Sequence, residues 1–340
     1  MIRVAMIGFG GIAGSHKKAY LSLEKRGFDV KLVAICDTDP EAFKRRVTIN
    51  IETGKETLGG DFRTYTDLEE MLKSEEIDLI DICLPTPFHC EYSINMLERG
   101  YNVLCEKPMS LTLENCKRMI DAKNKSGKTL MIGQCLRFFP QYEFLKACVE
   151  DGRYGKPTMA HFDRLSGPPR WGWNNWYMKP ELSGGVIYDL HIHDCDMIRW
   201  VFGEPKAFSA VAQSQNVHHD TAFITYYYEN LPVSAVADWS LKGLKFNDSY
   251  RVGFEKATVI YSGGEVTVYS KEDGSEEKIN LVSKAGIEGE IEYLIGCIEK
   301  GVGPERNTPE SSARTVAIAQ ALLESADNMG KRIEFNAPNF

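Results

Sequence analysis

A run of apolar, mostly aliphatic residues, Val4 to Ile7, passes directly into Gly8-Phe9-Gly10-Gly11-Ile12-Ala13, and a helical pattern follows from about Ile12 to Lys25. Strand, glycine turn and helix in that order leave little choice of geometry. Gly8 permits a tight turn, Gly10 lets the backbone approach a pyrophosphate, and the small Ala13 lets the helix settle on the sheet. The first helical turn then offers free N–H groups and the positive end of the helix dipole to phosphate. Glycine-rich turns are common in α/β proteins, so the motif gains weight from its context and from Asp37, which closes the next apolar run in Val33-Ala34-Ile35-Cys36-Asp37. A carboxylate there accepts hydrogen bonds from adenosine ribose hydroxyls and repels a 2′-phosphate, which favours NAD over NADP. An Asp that merely starts the turn Thr38-Asp39-Pro40 is the alternative reading.

The rest of the first third repeats the alternation. Val30 to Cys36, Ile77 to Leu84, Tyr101 to Cys105 and Thr129 to Ile132 read as strands buried on both faces; Glu41 to Val47, Asp67 to Lys73, Phe88 to Arg99 and Leu113 to Lys125 read as helices. This predicts a doubly wound, parallel α/β Rossmann domain over residues 1–135, with a surface loop at Asn50 to Glu56 and Gly59-Gly60. Beyond it come a helix at Gln141 to Glu150, a strand at Thr158 to Leu165, a Trp/Pro/Gly-rich loop and a helix from Gly185 to Trp200. Strand patterns then crowd together at Phe208 to Ser214, Ala222 to Tyr228, Val233 to Leu241, Tyr250 to Phe254, Thr258 to Tyr261 and Glu265 to Tyr269. Such adjacency predicts a large, mostly antiparallel open sheet and an α+β domain over residues 136–340. Helices at Ile287 to Lys300 and Glu310 to Asn328 close it, the second capped by Thr308-Pro309.

Composition bounds the partners. A length of 340 residues suits two domains. Forty basic and 48 acidic side chains leave a net charge of -8 with no Lys/Arg-rich block, which argues against nucleic acid or an anionic membrane as partner. No apolar run approaches the ~18 residues of a membrane span, and glycines interrupt the first apolar run before a signal peptide develops, so the cytoplasm is expected. The nine cysteines are odd in number and contain no Cys-x-x-Cys pair. Reduced, buried thiols are expected, with Cys36, Cys83 and Cys105 beneath the cofactor and binding no metal.

Three segments carry candidate chemistry. Cys105-Glu106-Lys107-Pro108 ends a predicted strand, where open α/β sheets bind ligands, so Lys107 can project a cation toward a nicotinamide; an ordinary surface lysine is the alternative. In the stretch Ser183 to Asp194, Asp189 and His193 stand four apart on one helical face. A histidine there can accept a proton at neutral pH, and the carboxylate can orient it or hold substrate. His191 and Asp194 lie off that face, and the group lacks a compact ligand set, so no metal is expected. His218-His219-Asp220 reads as a turn before a strand. The loop Arg170-Trp171-Gly172-Trp173-Asn174-Asn175-Trp176-Tyr177 holds three of the five tryptophans; stacking on sugar faces and a subunit interface account for it equally.

Together these residues resemble the Gfo/Idh/MocA family, the glucose-fructose oxidoreductase and inositol dehydrogenase group, over essentially the whole chain. The resemblance rests on the glycine turn, Pro85-Thr86-Pro87-Phe88-His89, Glu106-Lys107-Pro108, and Gly184-Gly185 with Asp189 and His193. It implies Lys107, Asp189 and His193 as the catalytic trio. Leu84, Thr86, His89 and Glu106 would lie along the cofactor with Gly8, Phe9, Gly10, Gly11, Ile12 and Asp37. Arg137 would face substrate and nicotinamide, with Trp171 and Trp176 as further substrate contacts. The second sheet would serve as the platform of a homodimer or homotetramer. Two positions depart from the family: His191 stands where many members have Gly, and Thr-Pro-Phe replaces the commoner Thr-Pro-Asn.

The implied reaction is hydride transfer from a secondary alcohol of a sugar or cyclitol to NAD. His193 takes the hydroxyl proton, Lys107 stabilises charge on that oxygen, and Asp189 holds the hydroxyl or the imidazole. One rival keeps NAD bound and recycles it during glycoside cleavage, elimination or epimerisation. A second, a non-catalytic NAD-sensing regulator, is disfavoured by the lack of an added DNA-binding segment.

Overall fold

The computed structural model describes residues 1–44, 59–281 and 286–340. Six parallel strands, β1 (Ile2–Ile7), β2 (Val30–Cys36), β3 (Arg63–Tyr65), β4 (Leu79–Ile82), β5 (Asn102–Glu106) and β6 (Leu130–Gly133), lie in the order β3-β2-β1-β4-β5-β6. Helices α1 (Gly11–Lys25), α2 (Leu68–Ser74), α3 (His89–Glu98) and α4 (Leu113–Ser126) connect them, giving the expected doubly wound sheet. The order reverses between β1 and β4, and that switch point opens the crevice where such folds bind ligands. β3 carries no apolar pattern to announce it; it is an edge strand, tied to the end of β2 by the Asp37 N–H, which donates to Tyr65 O at 3.0 Å. The helix expected at Glu41 to Val47 lies partly outside the described residues; its described start forms a short 3-10 turn, Pro40–Phe43, in which the Asp39 carboxylate accepts the Glu41 N–H and caps it. The loop expected at Asn50 to Glu56 lies outside the described residues.

The second half builds α5 (Pro140–Asp151), β7 (Pro157–Leu165), three successive helices α6 (Pro180–Ser183), α7 (Gly185–Asp189) and α8 (Ile192–Phe202), and then the strands of a second sheet. These are β8 (Ala207–Gln213), β9 (Thr221–Tyr227), β10 (Pro232–Asp238), β11 (Asn247–Phe254), β12 (Ala257–Ser262), β13 (Glu265–Ser270) and β14 (Glu276–Ile279). Helices α9 (Gly286–Lys300) and α10 (Pro309–Asp327) precede a last short strand, β15 (Ile333–Glu334). The sheet order is β14-β13-β12-β11-β7-β10-β9-β8-β15, with β7 and β10 parallel and the other described pairs antiparallel.

Period-two alternation divides that sheet. Phe162, Phe208, Ala210, Ile224, Tyr226, Val233, Tyr250 and Val252 are buried on one face. On the other, Val211 is 57% and Phe223 61% exposed, and the register sets Val211 beside Phe223 and Phe223 beside Val236. The first sheet, in contrast, is covered on both sides. Ala13, Tyr20 and Leu23 of α1 pack on Leu32, Ile35 and Leu79, and Ile291, Leu294 and Ile295 of α9 complete the same cluster. A helix from the far end of the chain thus seals the dinucleotide half.

Candidate active site

The glycine turn fits a bound pyrophosphate. Gly8 has φ +90°, and a Cβ there would sit 2.6 Å from the Cys83 carbonyl oxygen and 2.9 Å from Leu84 Cδ2, so β1 and β4 pinch the turn. A Cβ at Gly10 would meet nothing within 4 Å, which leaves that side open. The first turn of α1 carries no acid, and Gly10 supplies no side-chain cap, so Gly11 and Ile12 contribute backbone N–H groups while the Ile12 side chain packs on the core. Asp37 accepts the Phe9 N–H at 2.7 Å and the Asp39 N–H at 2.9 Å, which fixes its carboxylate at the lip of the crevice. Thr86 is 2% exposed, and its Oγ1 has no partner among the described residues: an orphaned hydroxyl where the cofactor is expected.

Beneath this turn lies a charged floor. His16, on α1, is fully buried between two carboxylates, with Nδ1 2.8 Å from Asp81 Oδ2 and Nε2 2.9 Å from Glu106 Oε1. The Tyr20 hydroxyl also donates to Asp81 Oδ2. Burial is the largest single influence and opposes the imidazolium, but the Asp81 charge, the Cys83 interaction and the hydrogen bond to Asp81 together outweigh it and raise the His16 pKa well above the ordinary value. For Glu106 burial again opposes charge, and the hydrogen bond and charge of His16 together with the Lys107 cation more than offset it, so its pKa falls. Its other oxygen accepts the Lys107 N–H at 3.0 Å, so the floor fixes the backbone that carries the candidate catalytic lysine. The buried thiols nearby have raised pKa values, to about 11 at Cys36 and about 12 at Cys83, because burial penalises the thiolate.

At the mouth, Lys107 Nζ donates to the Asp189 carbonyl at 2.7 Å and to Asp189 Oδ1 at 3.1 Å. His193 follows on α8. Burial first, and then the cations of Lys107 and Arg164, push its pKa well below the ordinary value. The ring is therefore neutral, and its shielded Nδ1 has no partner among the described residues. The expected single helix from Gly185 to Trp200 is broken here. The Leu190 and His191 N–H groups both donate to Val186 O, at 3.1 and 2.8 Å, and the second bond spans five residues in the manner of a π-turn. The extra residue re-aims His193 relative to Asp189, so the two no longer stand one regular α-turn apart. Gly184 makes the entry possible: at φ +72°, a Cβ there would lie 2.4 Å from Tyr188 Cβ.

Residues 2–134 match the model of the GFO/IDH/MocA oxidoreductase family with its NAD-binding Rossmann fold, and residues 142–260 match the GFO/IDH/MocA C-terminal domain. The chain belongs to the Gfo/Idh/MocA family of NAD-binding oxidoreductases. The 1,5-anhydro-D-fructose reductase of Ensifer adhaerens is 27% identical over 236 residues, 69% of each chain. The myo-inositol 2-dehydrogenase of Thermotoga maritima is 31% identical over 204 residues, 60% of this chain and 55% of that protein. A structure of levoglucosan dehydrogenase with NADH and levoglucosan shares the fold at a TM-score of 0.84 and 18% identity, covering 99% of this chain and 100% of that one.

Several residues of this Gfo/Idh/MocA chain sit elsewhere than expected. Arg137 does not reach toward substrate: it is 2% exposed, its Nε and Nη2 clasp Asp196 at 2.7 and 2.6 Å, and it donates to Arg306 O and Ser311 Oγ. A buried guanidinium beside a buried carboxylate is held there by the cost of separating them. His89 is likewise an anchor, its nitrogens 2.8 Å from the carbonyl oxygens of Pro108 and Leu84. His191 turns from the mouth and places Nε2 2.7 Å from the Tyr226 hydroxyl, tying α8 to β9. In the aromatic loop Trp176 is buried against Tyr177, with centroids 4.1 Å apart, and Trp171 packs on the same ring. Trp173 is the exposed one, at 55%, and meets Phe88 edge-on at 6.0 Å. Sequence reasoning named the aromatic loop but missed the pairing of Trp173 with Phe88, and it missed His16 with Asp81 as the floor. The departure from Thr-Pro-Asn at Phe88 was the signal for the first pair; nothing local marks His16.

Proposed function

We propose that this family member oxidises a secondary hydroxyl of a sugar or cyclitol with NAD. The observation that carries the reading is Lys107 held on Asp189 within electrostatic reach of a neutral His193. When bound, NAD supplies the hydride acceptor. A neutral imidazole can take the hydroxyl proton, and Lys107 can donate to the same oxygen as negative charge develops there. Asp189 holds the lysine and keeps a carboxylate oxygen for a neighbouring substrate hydroxyl. The residues Gly8, Phe9, Gly10, Gly11 and Ile12 would hold the pyrophosphate, and Asp37 would select NAD over NADP at the ribose. The relatives named for anhydrofructose and myo-inositol support a polyol substrate.

The exposed pair Val211 and Phe223, with the half-buried Val236 beside Phe223, supports self-association through the second sheet, since an apolar row of this kind is uncommon on a free monomer surface. All nine cysteines are free thiols, which suits the cytoplasm. A nicotinamide-absorbance screen of sugars, cyclitols and their keto forms with NAD and NADP tests the reading. His193→Ala and Lys107→Ala are each expected to lower kcat by about 10²–10⁴-fold with NAD binding retained. Parental kcat in His193→Ala overturns its role as base.

A further inference from the structure

We propose that His218, His219 and Asp327 form a site for one divalent cation of the zinc class, outside the candidate active site. The residues come from two distant segments, the loop between β8 and β9 and the last residue of α10. Neighbouring side chains along an extended chain ordinarily point to opposite sides. His219 instead adopts φ +51°, an uncommon backbone state for a residue with a side chain, and the two imidazoles lie together with centroids 3.7 Å apart.

Both rings aim the same atom at the same target. His218 Nε2 lies 3.2 Å and His219 Nε2 2.8 Å from Asp327 Oδ1, and the three ligand atoms fall within 4.8 Å of one another. Atoms bonded to zinc at about 2.0–2.1 Å in a tetrahedron are about 3.3 Å apart, so this spacing is close to that of a coordination shell. Two imidazoles and a carboxylate suit zinc, cobalt or nickel and are a poor set for magnesium or calcium, which take oxygen ligands. His218 and Asp327 are about half exposed, which leaves a remaining position for water.

The loop is shaped without help from a cation. Asp220, fully buried, accepts the backbone N–H groups of Gln215 at 2.9 Å and Asn216 at 2.6 Å and the Asn216 side-chain amide at 3.0 Å. Ser214 Oγ accepts the His219 N–H at 3.0 Å. Little ordering is left for binding to cost. Asp327 closes α10, where the negative end of the helix dipole favours a cation. The site also has a route to the catalytic half: a Cβ on Gly185, which opens α7, would lie 3.4 Å from His218 O and 3.9 Å from His219 O. A cation here would brace the loop that backs the helix ending in Asp189.

The test uses the full chain freed of metal by chelation. Calorimetric titration with Zn²⁺ alone should show one saturable equivalent, Co²⁺ should develop visible absorption of a low-symmetry nitrogen and oxygen site, and Mg²⁺ should do neither. His218→Ala and Asp327→Asn, both at half-exposed positions, should weaken zinc at least about tenfold while leaving NAD binding unchanged. The absence of saturable zinc binding, equal affinity for Mg²⁺, or zinc affinity unchanged in both variants overturns the site.

Discussion

Two imidazoles near the Glu106-Lys107 segment meet opposite fates. His16, in the floor, lies between Asp81 and Glu106 and holds its proton well above the ordinary pKa, despite the opposing effect of burial. His193, at the mouth, is half-buried; desolvation first, and then the cations of Lys107 and Arg164, make it give its proton up. Burial alone therefore does not decide the charge of a histidine; the sign of its neighbours does. Glu290, on α9, completes the comparison. Both its oxygens lack partners among the described residues, and burial followed by the nearby Glu106 charge raises its pKa, so it stays protonated. The floor is a fixed-charge support, and the mouth holds an empty proton acceptor.

The largest effect that can break this distinction is on folding. His16→Ala leaves Asp81 and Glu106 buried without the cation between them and should cost about 3–5 kcal/mol in urea or thermal unfolding. Arg137→Ala, which strands Asp196, belongs to the same class and should cost as much while leaving the substrate KM little changed. His193→Ala removes no charge and should cost far less stability while abolishing most turnover. Equal unfolding losses for His16→Ala and His193→Ala would mean that the floor holds no special charge.

The pH dependence sharpens the same contrast. An unfolded histidine titrates at about 6.5. His16 binds its proton more tightly when folded, so its stabilisation is complete below about pH 6.5 and is lost as pH rises through its higher folded value. For His193 the folded value is lower, so the native state loses stability as pH falls below about 6.5, at up to about 1.4 kcal/mol per unit. Urea midpoints measured between pH 5 and 9 should therefore show His193→Gln with a shallower acid decline than the parent. The acid limb of kcat should likewise fall below pH 6.5.

What was legible in the sequence was what a short segment settles by itself. The glycine turn sits in such a local pattern, strands of alternating burial announced the second sheet, and the proposed roles of Asp37, Lys107, Asp189 and His193 rest on short motifs of the same kind. Long-range partners were not legible. His16 meets Glu106 across 90 positions, Arg137 meets Asp196 across 59, and His218 meets Asp327 across 109. The pair His218-His219 read as a turn because its carboxylate lies on another element. The break between α7 and α8 was hidden by apolar residues that continue the helical period through it. β14, with the sequence Glu-Glu-Lys-Ile, has no alternation to show, since both faces of an edge strand meet water.

The smallest predicted effect concerns the aromatic loop, where inward and outward tryptophans repeat the contrast between support and contact. Trp176 fills the space against Tyr177, so its removal acts on folding. Trp173, 55% exposed against Phe88, has little to lose in the free protein. A stacking contact worth about 0.5–1.5 kcal/mol corresponds to a roughly 2- to 12-fold change in affinity. Trp173→Ala should raise the KM of whichever sugar or cyclitol the screen identifies by that factor, with kcat and unfolding midpoint close to parental. If KM holds and the sedimentation coefficient falls instead, Trp173 serves a subunit contact, and the substrate is gripped by the polar mouth around Lys107 and Asp189 without an aromatic wall.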